Sequence, residues 1–421
     1  DSVSTFECII DRDRHYFMEM NTRVQVEHRV SELCYRLRFT NPEDEKDSFA
    51  VNSIVELMVL LARHASRLPC PTRERREPAS LEARMNATDR ALKPHAGGII
   101  KQWSDNIEGE IRDDQGICVH NPDTDVFMKY HLAGAYDSNI ALLLSTGAGR
   151  AESYSQMAEI LRQTRLTGDN LQTNIEFLYG LINWLIGNNV QARPTTNFVV
   201  PYLTAIGQLK AISAKVDIVY AYNEIERAHL AASNDSMYRS SVQAIMARKA
   251  SLLARAINQL FAEPHYLAGW LAVNQHRYSL SDKGVEWQDN PVRVLSDLYH
   301  YLNMDARDGL PALYAIWDHD EELLRDALNF YDSLEAELGT QNWSALKRTL
   351  NGKKGKNALG KHLDAAQAAH AGFQLGMEIL SVLPYVGQRA GFYELNVTDD
   401  LSISIPDSLR DREAQDAALK Q

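Results

Sequence analysis

The stretch Tyr16-Phe17-Met18-Glu19-Met20-Asn21-Thr22-Arg23-Val24-Gln25-Val26-Glu27-His28 decides how this chain is read. From Glu19 onward every second position is polar: Glu19, Asn21, Arg23, Gln25 and Glu27 alternate with Met20, Thr22, Val24 and Val26. Strand side chains alternate between faces, so an extended chain sets the charged and amide groups on one side and the apolar groups on the other. Fully extended, Glu19 to Glu27 would span roughly 26 Å at about 3.3 Å per residue, too long for one small-molecule site. The chain is therefore expected to bend near Asn21-Thr22 or to serve two adjacent subsites.

Working outward, Ser4 to Ile10 reads as a second strand, and Asp11-Arg12-Asp13-Arg14 reads as a polar turn. A hairpin centred on Asp13 places Glu7 opposite Glu19. Facing carboxylates repel. A buried pair must share a proton or hold a cation. Hard divalent ions such as Mg²⁺ take carboxylate oxygens, often together with substrate phosphates. The alternative is an exposed hairpin with solvated acids. Glu27, beyond Arg23, is left for proton transfer.

The run Glu19 to His28 resembles the signature of biotin carboxylases, the ATP-grasp component of biotin-dependent acyl-CoA and pyruvate carboxylases. Its acid-x-Asn-x-Arg part is shared across ATP-grasp enzymes, including the large chain of carbamoyl-phosphate synthetase. The continuation Gln25-Val26-Glu27-His28 is more specific. Further landmarks similar to that family are Arg84-Met85-Asn86-Ala87-Thr88-Asp89, Pro94 with Gly97, Arg112 with Asp114, and Tyr136-Asp137-Ser138. Gly168, Thr173-Asn174 and Thr195-Thr196-Asn197-Phe198 follow. The chain departs from the pattern at Arg29, where the family has Pro, at Thr88, where it has Glu, and at Ile140 to Leu143, where a Lys is usual.

The resemblance implies an α+β fold. It has the C-terminal part of an ATP-grasp domain with a remodelled helical linker over 1–80, and a biotin carboxylase C-terminal α/β domain over 81–204. A mostly helical accessory or interdomain region with short strands fills 205–421. By residue-level match, Glu7 and Glu19, assisted by Asn21, would hold Mg²⁺ (or Mn²⁺) bridging the phosphates of ATP. Arg23, Gln25 and the Val26 backbone would bind bicarbonate. Glu27 would be the general base, and Arg84 would stabilise biotin once its ureido nitrogen is deprotonated. Biotin would arrive as a substrate on a carrier domain. Biotinyl carrier and carboxyltransferase modules are the implied partners, in a multidomain acyl-CoA carboxylase of fatty acid metabolism, and a homodimer is compatible. The competing readings are a carbamoyl-phosphate synthetase-type ligase and a non-catalytic carboxylase-like scaffold.

Composition narrows the classes further. The 421 residues carry a net charge of −12. That excess of acid disfavours a nucleic-acid or anionic membrane surface partner. No apolar run reaches transmembrane length. Cys8, Cys34, Cys70 and Cys118 lack zinc or redox spacing, so a reduced, cytoplasmic setting is expected. No glycine-rich phosphate loop and no Met-Lys-Met biotin acceptor occur in the sequence. The chain is thus expected to be a piece of a longer enzyme, catalytically incomplete alone.

Local patterns complete the expectations. Asn41 to Asp47 reads as a charged loop leading to a helix from Phe49 to Leu68, ended by Pro69-Cys70-Pro71. Gly149 to Leu178 reads as helix, turn and helix. Helical patterns follow at Ile206 to Ala232, Ser236 to Phe261, Pro291 to Tyr301, Leu310 to Ile316, Glu321 to Leu338 and Leu359 to Leu383. Ser233-Asn234-Asp235 and Glu263-Pro264-His265 read as helix boundaries. Tyr278 to Leu280 and Phe392 to Val397 read as short strands. Asp318-His319-Asp320 reads as a helix-start cluster, and Asn351 to Lys356 as a solvated basic loop.

Overall fold

In the computed structural model the decisive stretch folds into the second arm of a hairpin. Strand β1 (Thr5–Asp11) pairs antiparallel with β2 (Arg14–Asn21). The structure describes residues 3–11, 13–95, 98–113, 120–121, 126–127, 130–131, 138–231, 234–236, 239–240, 243, 254–304, 325, 328–340, 342–350, 352–353 and 378–419. Two compact units divide these, 1–175 and 176–421.

The hairpin turn is tighter than a centre on Asp13 implies, because Asp11 pairs with Arg14. Continued without interruption, that register would set Glu7 against Met18. A β-bulge between Glu7 and Cys8 absorbs one residue of β2 and brings Glu7 opposite Glu19. A bulge of this kind re-aims the side chains beyond it. β2 ends at Asn21, where the chain bends, as expected from the length of the polar alternation. Phe6, Phe17 and Met18 stand more than half exposed on this hairpin.

Helix α1 (His28–Cys34) follows at once and leads into β3 (Tyr35–Asn41) and β4 (Asp44–Val51). Asn41 to Asp47 is not a loop but the turn and flanks of a hairpin, and Phe49 lies in β4, stacked on Phe39 at 5.2 Å. The helix starts only at Ile54. α2 (Ile54–His64) is capped by Ser53, whose side chain accepts from the Val55 N–H. Helical spacing within Phe49 to Leu68 was real for its second half. Cross-strand aromatic pairing claimed the first, a tertiary contact that outweighs local periodicity. Strand β5 (Thr72–Arg75) completes this sheet in the order β4-β3-β5. Glu74 on β5 accepts from Arg38 and Arg36 on β3, which holds its carboxyl below the usual carboxylate range.

Strand β6 (Ala79–Asn86) carries Arg84. It is followed by β7 (Ile99–Trp103), β8 (Ile111–Asp113) and three two-residue strands, β9 (His120–Asn121), β10 (Val126–Phe127) and β11 (Tyr130–His131). β12 (Asn139–Gly147) is the central strand of a β6-β12-β8 sheet. Its run Ile140 to Leu144 is wholly buried, the signature of a strand covered on both faces. Helix α3 (Arg150–Gln163) packs on β12 and β6. The expected turn between two helices is instead a strand, β13 (Leu166–Asp169), in a β11-β7-β13 sheet. At Gly168 a Cβ would lie 1.8 Å from the Ile99 carbonyl oxygen, where the β13–β7 register shifts. That close approach explains the glycine. Met85, Ala87, Ile100, Ile140 and Ala141 form the buried core of this unit.

The second unit is mostly helical. α4 (Ile175–Gly187), α5 (Val199–Ser213), α6 (Ile218–Ala231), α7 (Pro264–Asn274) and α8 (Pro291–Tyr301) are its principal described helices. The single helix expected over Ile206 to Ala232 is two. Asp217 breaks it, its side chain accepting from the Tyr220 N–H at 2.9 Å to start α6. α7 was not expected beyond its Pro264 boundary; its apolar, evenly buried sequence shows no amphipathic stripe to read. α8 matches its expected bounds, capped by Asn290. The strand expected at Tyr278 to Leu280 is present as Tyr278–Ser281 and pairs in a hairpin with Gly284–Trp287, a strand that was not expected, whereas Phe392–Glu394 is a 3₁₀ turn and only Asn396–Val397 pairs as strand. Leu310 to Ile316, Asp318 to Asp320, Cys118, Asp114, Gly97, Tyr136-Asp137 and most of Leu359 to Leu383, Asn351 to Lys356 and Ser236 to Phe261 lie outside the described residues. Among the described residues no helix is long and apolar enough to cross a membrane.

The core of this unit is aromatic. Trp184, Phe198 and Tyr202 are in mutual ring contact, and Tyr179 and Tyr301 bury their hydroxyls on the carbonyls of Tyr301 and Tyr266 at 2.8 Å. α4 crosses α7 on glycines: a Cβ at Gly180 would stand 2.3 Å from the His265 carbonyl oxygen, and one at Gly187 would stand 2.2 Å from that of Ala272. Backbone atoms cannot give way as side chains can. Gly180→Ala should therefore cost about 1–3 kcal/mol by overpacking, read as a lowered midpoint in urea denaturation.

Candidate active site

Two groups of the sequence-selected residues meet within the first unit. In the first, Glu7 and Glu19 face each other across the hairpin, and Asn21 Nδ2 donates to both, at 2.8 Å to Glu7 and 3.2 Å to Glu19. Gln25 also donates to Glu7, because the chain folds back after Asn21. Thr5 Oγ1 helps hold that fold by donating to the Arg23 carbonyl at 3.3 Å. The carboxylate pair is thus bridged by neutral amide donors, which supply partial positive charge between like charges. Arg23 is exposed, its guanidinium donating to the Val24 carbonyl at 3.3 Å. Val26 is partly buried in the turn before α1.

In the second group, Glu27 is the N-cap of α1 but makes no side-chain cap. Its carboxylate lies 3.7 Å from Arg84 Nη1 instead. Both side chains are open to solvent, Glu27 at 51% and Arg84 at 39% exposure, so their groups can be reached from outside. Among the described residues there is no group of three or more His, Cys, Asp or Glu side chains that could hold a metal. A metal at the first group would depend on the two carboxylates and the Asn21 side-chain oxygen.

Three residues that the motif did not single out build the frame. Glu32, 5% exposed, accepts from the Ile54 N–H at 2.6 Å, lies 3.0 Å from Arg29 and lies 3.6 Å from His28. One carboxylate thereby ties the helix after the site to the start of α2, where a negative charge is favourable. Its signal in the sequence was the His28/Glu32 spacing of one helical turn. Asn174 is buried and stitches β6 beneath Arg84: its side chain donates to the Arg84 carbonyl at 3.0 Å and accepts from the Asn86 N–H at 2.8 Å. Asp113 on β8 lies 2.9 Å from Arg29 Nε. Neither long-range partner is visible from sequence spacing.

Removing the Asn174 amide leaves two main-chain groups of β6 without their partner. Asn174→Ala is expected to destabilise the unit by about 1–3 kcal/mol, and Asn174→Asp, which keeps the acceptor, by less. Equilibrium denaturation followed by tryptophan fluorescence measures both.

No family model matches the chain. Biotin carboxylase of Pseudomonas aeruginosa is 29% identical over 180 residues, covering 43% of this chain and 34% of that protein. Biotin carboxylase of Nostoc sp. is 31% identical over 179 residues, covering 42% of this chain and 34% of that protein. Among solved structures, the biotin carboxylase domain dimer of Hydrogenobacter thermophilus 2-oxoglutarate carboxylase, in complex with MgADP, ADP and bicarbonate, matches with 26% identity and a TM-score of 0.32. That match covers 43% of this chain and 35% of that one. The chain spans about a third of the length of the curated relatives it matches. Over some two fifths of its own length it is related in sequence to the biotin carboxylases.

Proposed function

We propose that the first unit carries the metal- and bicarbonate-facing part of a biotin carboxylase centre, and that the intact protein uses ATP and bicarbonate to carboxylate biotin. The observation that carries this reading is the joint placement of the signature residues. Glu7, Glu19, Asn21 and Gln25 form one hydrogen-bonded cluster, and Glu27 meets Arg84 from a strand some sixty residues away in sequence. Shared sequence with named biotin carboxylases supports it.

Glu7 and Glu19, with Asn21, offer oxygen donors of the kind that hold Mg²⁺ or Mn²⁺. The residues fit such an ion: like charges already face one another there, bridged by the Asn21 amide donor that a cation could replace. A bound divalent ion would supply charge neutralisation at the phosphates of ATP. Arg23, Gln25 and the Val26 N–H bind bicarbonate, the planar guanidinium matching a planar oxyanion. Glu27 removes the bicarbonate proton as general base. Arg84 faces the negative charge that develops on biotin when its ureido nitrogen loses a proton. Residues 205–421 are assigned as an accessory region that comes, in sequence, between this centre and the biotinyl carrier and carboxyltransferase modules of an acyl-CoA carboxylase.

The test is phosphate release from Mg²⁺-ATP by the intact protein, with and without bicarbonate and free biotin. Stimulation by both is expected. Glu27→Gln should lower turnover by about 10²–10⁴-fold while circular dichroism stays unchanged. Stimulation by ammonia in place of biotin would move the protein to the carbamoyl-phosphate synthetase type of ligase. Wild-type turnover in Glu27→Gln would remove the general-base role.

A further inference from the structure

Arg84 and Asp113 lie on one line across the β6-β12-β8 sheet. Leu142 of the central strand pairs with Arg84 on one side and with Asp113 on the other. Directly opposed strand residues share a face, so the three side chains project on the same side, Arg84 and Asp113 roughly 10 Å apart across two strand spacings. The start of α1 lies over this row. Glu27 reaches Arg84 on β6 at 3.7 Å, and Arg29 reaches Asp113 on β8 at 2.9 Å. Residues two apart on a helix point about 200° away from each other, which suits one for each outer strand. The charges are arranged in opposite senses, acid to base on β6 and base to acid on β8. A helix start shifted or turned by one residue would break both contacts.

We propose that Arg29 and Asp113 are positioning residues that clamp the first turn of α1 across the sheet and thereby fix the Glu27 carboxylate against Arg84. The proposal rests on the general-base reading of Glu27. The pair Arg29–Glu32, at 3.0 Å, extends the clamp inward, since Glu32 is buried and anchored to the Ile54 N–H. Arg29 also stands where the family resemblance expects Pro. Proline in the first turn stiffens a helix start by fixing φ. At this position an ionic contact to the neighbouring sheet supplies the restraint from outside the helix.

The turn reports on the clamp directly. The amides of His28 and Val30 donate to the carbonyls of Gln25 and Glu27 at 3.2 and 3.3 Å, and their hydrogen exchange reads its opening. In the intact protein, Asp113→Asn should speed exchange of these two amides about threefold, the scale of a part-exposed ion pair. Asp113→Glu should restore it, and Asp113→Asn should add nothing in an Arg29→Gln background. The turnover number for bicarbonate-dependent phosphate release should fall by a similar factor, with the KM for ATP unmoved. Exchange unchanged in Asp113→Asn, or an equal effect of that substitution with and without Arg29, overturns the clamp. Faster exchange with wild-type turnover overturns its link to Glu27. Absence of biotin-dependent turnover in the wild-type protein defeats the functional reading, while the exchange cycle still decides the clamp.

Discussion

Two carboxylates held face to face organise the first part of this molecule. Glu7 and Glu19 repel across the β1–β2 hairpin, and a two-residue shift in pairing would relieve them at little cost to the backbone. The bulge beside Glu7 enforces the opposition, and the amides of Asn21 and Gln25 make it tolerable. Glu19 is exposed and Glu7 half-buried, so water shares in screening the pair, as in the exposed hairpin with solvated acids that the sequence also allowed. Under the proposed function the same facing oxygens are where a cation would be received.

The same logic runs through the next layer. Glu27 sits at a helix start yet does not cap it, and the helix is held instead by its neighbours: Glu32 toward α2, Arg29 toward β8, and Glu27 itself toward β6. A helix of seven residues has little stability of its own. Its orientation, and with it the position of the Glu27 carboxylate at its N-terminus, therefore depends on contacts to the sheet. Beneath it, Asn174 fixes the main chain from the Arg84 carbonyl to the Asn86 N–H, and the buried β12 gives the row of Arg84, Leu142 and Asp113 a rigid base.

Where the sequence reading failed, tertiary contact had overridden a local pattern. Phe49 continued an apolar helical spacing but stacks on Phe39 in a sheet. Leu166 to Asp169 looked like an inter-helix turn, yet its residues pair with β7, and only the backbone contact at Gly168 shows why a glycine sits there. Asp217 split a helix whose apolar periodicity runs on through the break. Helix α7 escaped notice because a helix buried on all sides has no polar face to mark its period.

Legible in the sequence alone is the chemistry on offer: alternating acids, amides and a guanidinium between Glu19 and Glu27, and the bend after Asn21. These are local facts, fixed by strand alternation and turn residues within about ten positions. The opposition of Glu7 to Glu19 was expected from a turn centred on Asp13, but the turn is tighter and the opposition is restored only by the bulge between Glu7 and Cys8. Tertiary structure alone decided which distant groups complete the local chemistry. Arg84 reaches Glu27, Asp113 reaches Arg29, Asn174 reaches β6 and Ile54 reaches Glu32 only because strands far apart in sequence pair around β12 and the chain returns across α1. Strand order and register are set by burial of the whole core, a sum over many side chains that no single stretch of sequence contains.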